Sequence, residues 1–354
     1  MDEYESDQHT TTQPSQALRR PAAPLVSRRS TGRPHRRVGA PMTSDPTTTA
    51  AHNAERELWH HYGLAVDERF IDIDDPRLRV RMLECGTPSG QPLVFVAGGL
   101  GEAWGWAGLM AKLTEFRCVT LDRPGGGLSD GVDFLAVNVR KLAVDVLGAV
   151  VDAAGVTQAV FVANSMGGWW TFQFAMRAPS RVSRMVMLGC PADILETSAP
   201  LPMRLVAVPV LGRGLVKLMR PRSPAKARNQ PRFLGHPAQV GHQWPGVQAE
   251  TAYRFGQLPD VQRSSLTLLR RFLRPGGTNP SMRISAGELH SVTQPTLLIW
   301  GRNDPFGTPE DGRAAAQLMP QARFELVGLG HLPWWDEPDQ CARLIREFVP
   351  PAAR

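Results

Sequence analysis

One short segment constrains this chain more than any other: Phe161-Val162-Ala163-Asn164-Ser165-Met166-Gly167-Gly168. An apolar run ends, a serine follows almost at once, and an apolar helical pattern starts at Met166. A serine in that position is held on a strained turn with its hydroxyl exposed at the end of a strand. Small residues are needed on either side because strand and helix approach closely there. Gly167 supplies one, and Ala163 stands where Gly is more usual.

The surrounding pattern says what sheet this strand belongs to. Arg69 to Ile73 and Leu78 to Cys85 read as strands joined by a turn at Asp74-Asp75-Pro76. Leu93 to Ala97, Cys118 to Leu121, Ala159 to Ala163 and Arg184 to Leu188 are short apolar runs suited to a sheet buried on both faces. Helical spacing appears between them, near Trp106 to Leu113, over Asn138 to Ala154 and over Met166 to Met176. The rhythm stops from Pro191 to Gln294, which is helix-like, Pro-rich and basic, with no clear strand. It resumes with strands at Thr296 to Trp300 and Arg323 to Val327 and helices near Glu310 to Leu318 and Pro338 to Phe348. This is an α/β chain with a mostly parallel sheet and helices on both faces. The interruption is too long for a plain loop and reads as a helical cap over residues 191–294, inserted into a core of residues 51–190 and 295–354.

Residues 1–50 are rich in Thr, Ser, Pro, Gln and Arg and lack a periodic apolar pattern, so a disordered tail is expected, with a first helix near Ala54 to His61. Met42 is a second possible start. Twin arginines at Arg19-Arg20 and Arg28-Arg29 are not followed by an apolar core, so no secretory signal is expected. Cys85, Cys118, Cys190 and Cys341 are far apart, without metal-ligand spacing, and read as buried free thiols of a cytoplasmic protein.

The formal net charge is +7, and the excess is concentrated in the cap. Such a field attracts anionic substrates or surfaces, or is simply solvated. No nucleic-acid module or aromatic-basic alternation accompanies it. Leu201 to Met219 is the most apolar stretch, but Arg204, Arg213 and Lys217 break it, so no stable membrane insertion is expected. It suits an amphipathic helix that gates entry or a weak surface anchor.

Serine is a weak nucleophile and needs a base, and the base needs an orienting acid. Of nine histidines, only His331 directly follows a late strand, in Leu329-Gly330-His331-Leu332-Pro333-Trp334. Asp304, in Gly301-Arg302-Asn303-Asp304-Pro305, follows the preceding strand. Both loops lie at the same edge of the sheet as Ser165. The order Ser165, Asp304, His331 is the one this kind of turn calls for. Oxyanion donors are expected from the Met166 amide and from Gly98-Gly99-Leu100-Gly101, with Gly99 first and Leu100 second. A dinucleotide fingerprint fails on that glycine loop because Trp104 stands where the third Gly is required.

With these residues in place, residues 66–350 resemble the α/β-hydrolase superfamily. Asp122-Arg123-Pro124-Gly125-Gly126-Gly127-Leu128-Ser129-Asp130 looks like its loop after the fourth strand, and Trp300 to Phe306 and Gly330 to Pro338 look like its acid and histidine loops. The resemblance implies the α/β-hydrolase fold, an eight-stranded sheet with a cap, acyl-type chemistry without a cofactor or metal, and the roles assigned above. Asn164-Ser165-Met166-Gly167-Gly168 is also similar to the elbow of carbon–carbon bond hydrolases acting on ring-cleavage products. Those enzymes carry a Ser-Gly-Pro-Gly run at the oxyanion loop, where this chain has Gly98-Gly99-Leu100-Gly101. Ser rather than Asp at 165 argues against haloalkane dehalogenase or epoxide hydrolase chemistry.

Three functions remain open from sequence. The first is a cofactor-free esterase acting through an acyl-enzyme on a largely apolar small molecule, neutral or anionic. The second is a carbon–carbon hydrolase or perhydrolase-type haloperoxidase with the same triad. The third is a ligand-binding protein with slow turnover. Trp104, Trp169 and Trp334 are the expected pocket walls. Nothing in the sequence fixes an oligomeric state.

Overall fold

Strand β5 (Ala159–Ala163) shows how the chain is organised: Ala159, Phe161 and Ala163 face one apolar cluster while Val160 and Val162 face another. A strand buried on both faces must lie inside a sheet covered by two helical layers. The structure, a computed structural model, describes residues 45–99 and 101–349. Its strands are β1 (Asp67–Ile73), β2 (Leu78–Gly86), β3 (Pro92–Val96), β4 (Arg117–Leu121), β5, β6 (Val182–Leu188), β7 (Leu273–Arg274), β8 (Gly277–Thr278), β9 (Thr296–Trp300) and β10 (Ala322–Leu326). Eight of them form one sheet in the order β1-β2-β4-β3-β5-β6-β9-β10. β2 runs antiparallel to both β1 and β4, and the remaining pairs are parallel. This is the α/β-hydrolase fold expected from the sequence.

The principal helices are α1 (Pro46–His61), α2 (Val139–Ala153), α3 (Ser165–Arg177), α4 (Leu201–Val206), α5 (Pro209–Met219), α6 (Gly246–Phe255), α7 (Pro259–Phe272), α8 (Pro309–Leu318) and α9 (Pro338–Phe348). α2, α3 and α8 cover one face of the sheet, and α1 and α9 the other. Between β6 and β9 the chain is made of helices and connecting loops, with an isolated bridge between Ile194 and Ile284 and the β7–β8 hairpin, a pair of two-residue strands that the sequence does not announce. The helix expected at Trp106 to Leu113 is shorter, a 3-10 turn over Ala103–Trp106 followed by Ala107–Met110.

The tail boundary needs correction. Residues 1–44 lie outside the described residues, but residues 46–50 belong to the first helix and Asp45 caps it. Asp45 accepts from the Thr48 amide at 3.1 Å, and Pro46 occupies the first helical position. That combination is a good helix start; the three threonines after it hid the apolar spacing.

An ion network ties α1 to the site. Arg81 on β2 is buried, and its guanidinium meets Glu55 of α1 at 2.5 Å, Glu68 at 2.8 Å and Asp122 at 3.0 Å. Asp122 in turn accepts from the amides of Ala103 and Leu128, both at 2.8 Å. The loops after β3 and β4 are thereby held against one buried charge cluster. Removing one member would leave an uncompensated buried charge.

Candidate active site

The turn between β5 and α3 places Ser165 at a φ of 51°, a left-handed conformation unusual for a residue with a side chain. The close packing around it explains why the strain persists. A Cβ at Gly167 would stand 2.0 Å from the Val96 carbonyl oxygen, and one at Gly98 would stand 2.2 Å from Asn164 Oδ1 and 2.7 Å from Ser165 Cβ. Only glycine lets the loop after β3 and the start of α3 approach so closely. Asn164 secures the other side, donating from Nδ2 to the carbonyls of Leu188 and His331.

His331 is buried, and its Nδ1 lies 2.8 Å from Asp304 Oδ2. Asp304 is fixed in turn: Oδ2 accepts from the Cys190 amide at 2.8 Å and Oδ1 from the Phe306 amide at 2.9 Å. The Phe306 ring stacks on the imidazole with centroids 4.2 Å apart. The opposite nitrogen, Nε2, is buried without a hydrogen-bond partner among the described residues. Ser165 and His331 line the same cavity, of about 520 Å³. The Asp304–His331 hydrogen bond is formed; a serine–histidine hydrogen bond is not present among the described residues.

Met166 sits at the start of α3, where backbone amides have no acceptor within the helix, and it lines the cavity. Gly99 lines it too, with φ 51° and open space where a side chain would be. Leu100 lies outside the described residues. Arg123 stabilises this loop from beneath, donating to the carbonyls of Ala97 at 3.0 Å and Gly99 at 2.6 Å. It lies over the Trp170 ring, and burial pulls its pKa down to about 9.

Of the three tryptophans expected in the pocket, Trp104 and Trp334 line the cavity and Trp169 does not. Trp169 is fully buried, donates to the Met282 carbonyl at 2.6 Å and packs edge-on against Phe272. It lies one turn past the serine in α3, but its indole is taken up by Phe272 at the end of α7 and does not line the cavity. Sequence reading missed Trp335 and Glu102, which also line the cavity. Glu102 accepts from Trp104 Nε1 at 3.1 Å; burial, reinforced by the charge of Asp122, pushes its carboxyl up to about 8. Asp193 lines the cavity as well, at φ 54°, and burial raises it to about 6. The rest of the wall is largely apolar, including Val206, Leu268 and Phe272. Most of the positive residues of the helical segment point elsewhere, and Arg220 is the one Lys or Arg on the cavity wall among the described residues.

A family model for the alpha/beta hydrolase fold matches residues 91–338. The chain belongs to the α/β-hydrolase family. This α/β hydrolase is 27% identical over 292 residues to the 2-hydroxy-6-oxononadienedioate/2-hydroxy-6-oxononatrienedioate hydrolase of Burkholderia vietnamiensis, covering 79% of this chain and 95% of that protein. It is 26% identical to the 2-hydroxy-6-oxo-6-phenylhexa-2,4-dienoate hydrolase of Comamonas testosteroni, covering 73% of this chain and 88% of that protein. Among solved structures it resembles carboxylesterase CesB from Bacillus subtilis, with a TM-score of 0.67 and 19% identity over 86% of this chain and 98% of that one. That last likeness is one of fold. All four cysteines of the α/β hydrolase are free and buried, and no helix among the described residues is long and apolar enough to cross a membrane.

Proposed function

We propose that this α/β hydrolase cleaves carboxylic esters of small, largely apolar molecules through an acyl-enzyme on Ser165. The observation that carries the proposal is His331, bonded to Asp304 through Nδ1 while its unpartnered Nε2 is buried at the cavity that Ser165 lines. Nε2 accepts the serine proton as Oγ attacks the carbonyl carbon, then passes it to the leaving alkoxide. The Asp304 carboxylate stabilises the imidazolium and keeps its Nδ1–H pointed away from the serine. The amides of Met166 and Gly99 receive the developing oxyanion. Water, deprotonated by His331, then releases the acid. The helical segment 191–294 acts as the cap that supplies the apolar wall.

A second reading rests on the relatives. Their named substrates carry ketone, hydroxyl and carboxylate groups and no ester, so hydrolysis there breaks a carbon–carbon bond. They are also anions, whereas the cavity wall here is largely apolar and carries one Lys or Arg, Arg220, among the described residues. That apolar wall favours an uncharged ester. The test compares kcat/KM for p-nitrophenyl acetate, butyrate and octanoate with that for 2-hydroxy-6-oxo-6-phenylhexa-2,4-dienoate. Ester turnover that rises with acyl length and exceeds dienoate turnover is expected. The reverse ranking would replace the ester reading with the carbon–carbon one.

A further inference from the structure

Six large hydrophobic residues are exposed among the described residues, and five of them, Leu201, Leu205, Leu211, Leu218 and Phe233, lie between residues 201 and 233. Scattered single exposures need no explanation; a cluster does. α5 makes the arrangement plain. Leu211 and Leu218 are two turns apart and share a face, and they are 52% and 67% exposed. The helix turns Gly212 inward instead: a Cβ there would stand 2.1 Å from the Val206 carbonyl oxygen, and Val216 lines the cavity. α5 therefore packs through Gly212 and presents Leu211 and Leu218 to water, with Leu215 half-buried between them, unlike a helix serving only the protein interior.

The charge around this patch has one sign. From Thr197 to Ala249 the chain has eight Lys and Arg residues and no Asp or Glu. Arg213, Lys217, Arg222, Lys226 and Arg232 are exposed. No ion pair among the described residues engages any of them. The patch is also continuous with the cavity, because Pro202, Met203 and Phe233 line it, and Phe233 is itself 70% exposed.

We propose that residues 201–233 seat the protein on an anionic lipid surface, with the cavity opening toward the bilayer. Exposed leucines and a phenylalanine enter the headgroup region, and the flanking cations are drawn to acidic headgroups. Attachment is peripheral. A cavity that opens at this patch can take an apolar ester from the bilayer without passing it through water. This last step rests on the ester reading above; the docking itself does not.

The test separates the two by using full-length Ser165→Ala, which cannot turn over. It is floated with vesicles of phosphatidylglycerol and phosphatidylcholine in equal parts, and with pure phosphatidylcholine, at low and high salt. Flotation with the anionic vesicles at low salt, falling as salt rises and weak on the neutral ones, is expected. Adding Leu211→Glu and Leu218→Glu should reduce the bound fraction at least tenfold. The same two substitutions in the active chain should leave hydrolysis of monomeric p-nitrophenyl butyrate unchanged and retain the melting temperature. Absence of flotation with anionic vesicles, equal flotation on neutral ones, or unchanged flotation of the double variant would overturn the proposal. So would a concentration-dependent dimer abolished by Leu218→Glu without vesicle binding, which would make a second copy of the chain the occupant. Vesicle binding without ester turnover would leave the docking intact and remove only the ester reading.

Discussion

His236 Nδ1 lies 2.8 Å from Asp336 Oδ1, in a second buried histidine–aspartate pair directly beside the loop that carries His331. Asp336 Oδ2 accepts the amides of Leu329 at 2.8 Å and Gly330 at 3.0 Å, and His236 Nε2 accepts the Leu332 amide at 3.2 Å. Leu234 closes the arrangement, its carbonyl accepting the His331 amide at 2.8 Å. The helical segment thus holds the amides of His331 and Leu332, while Asp336, steadied by His236, holds the two amides before them. Burial would raise the Asp336 carboxyl, but the His236 hydrogen bond and the Gly330 and Leu329 amides outweigh it and hold it below the usual carboxylate range.

His236→Ala therefore leaves Asp336 and the Leu332 amide without their partner. The expected loss is about 1–3 kcal/mol of stability, read by thermal unfolding. Because the loop orients the imidazole, kcat should fall more than KM rises. An unchanged kcat in a folded variant would show that the pair serves stability alone.

Asp304→Asn tests the orienting acid. One side-chain oxygen remains to accept a backbone amide, so the fold should survive, but the amide favours the wrong imidazole tautomer. A fall in kcat of about 10⁴-fold is expected, with a circular dichroism spectrum like that of the wild type. A loss of less than tenfold would remove Asp304 from the role proposed for it.

Much of the candidate site's geometry was legible because its signals are local. Ser165 stands between a strand pattern and a helix pattern, and Asp304 and His331 each follow the end of a strand by a few residues. Other features depend on residues far apart in sequence. Arg81 gathers partners from positions 55, 68 and 122, and His236 meets a carboxylate a hundred residues away. No periodicity announces such pairs, because a buried charge reads as a polar interruption until its counter-charges are found. Trp169 failed for a related reason: sharing a helix side with Met166 does not fix what covers it, and here Met282 and Phe272, more than a hundred residues away, take up its indole. The early start of α1 was hidden by residues of low helix propensity behind a good cap.

Two neighbouring glycines make a paired test of the proposed oxyanion loop. Gly98→Ala forces a methyl group into Asn164 and Ser165, so the loop or the serine must shift. A fall in kcat of about 10²-fold or more is expected, comparable to losing one oxyanion donor. Gly99→Ala meets open space and bears only the cost of a positive φ, about 1–2 kcal/mol. Its activity should exceed that of Gly98→Ala. Steady-state kinetics on one ester with both variants gives the comparison, and the opposite order would contradict the packing described.

Glu102 should give the cavity a pH dependence. With its carboxyl raised to about 8 by burial, it is neutral at pH 7 and ionises as the pH climbs through that value. For an ester bearing a carboxylate, kcat/KM should fall above about pH 8 as ionised Glu102 adds its charge to those of Asp193 and the substrate in an apolar cavity. Glu102→Gln should abolish that fall and leave neutral esters unaffected. The same shift destabilises the fold: the unfavourable contribution begins above the ordinary carboxyl value of 4.5 and grows until the folded group ionises near 8. The glutamine variant should accordingly gain melting temperature relative to the wild type at pH 8 and not at pH 4. Parallel pH profiles for the two proteins would contradict this account.

The most direct test of the central claim is labelling with a fluorophosphonate, which reacts with an activated serine, followed by peptide mapping. A single adduct on Ser165 in the wild type, absent from Ser165→Ala and strongly slowed in His331→Ala, is the predicted result. An unlabelled folded wild type, or an adduct on another residue that persists in Ser165→Ala, would contradict it.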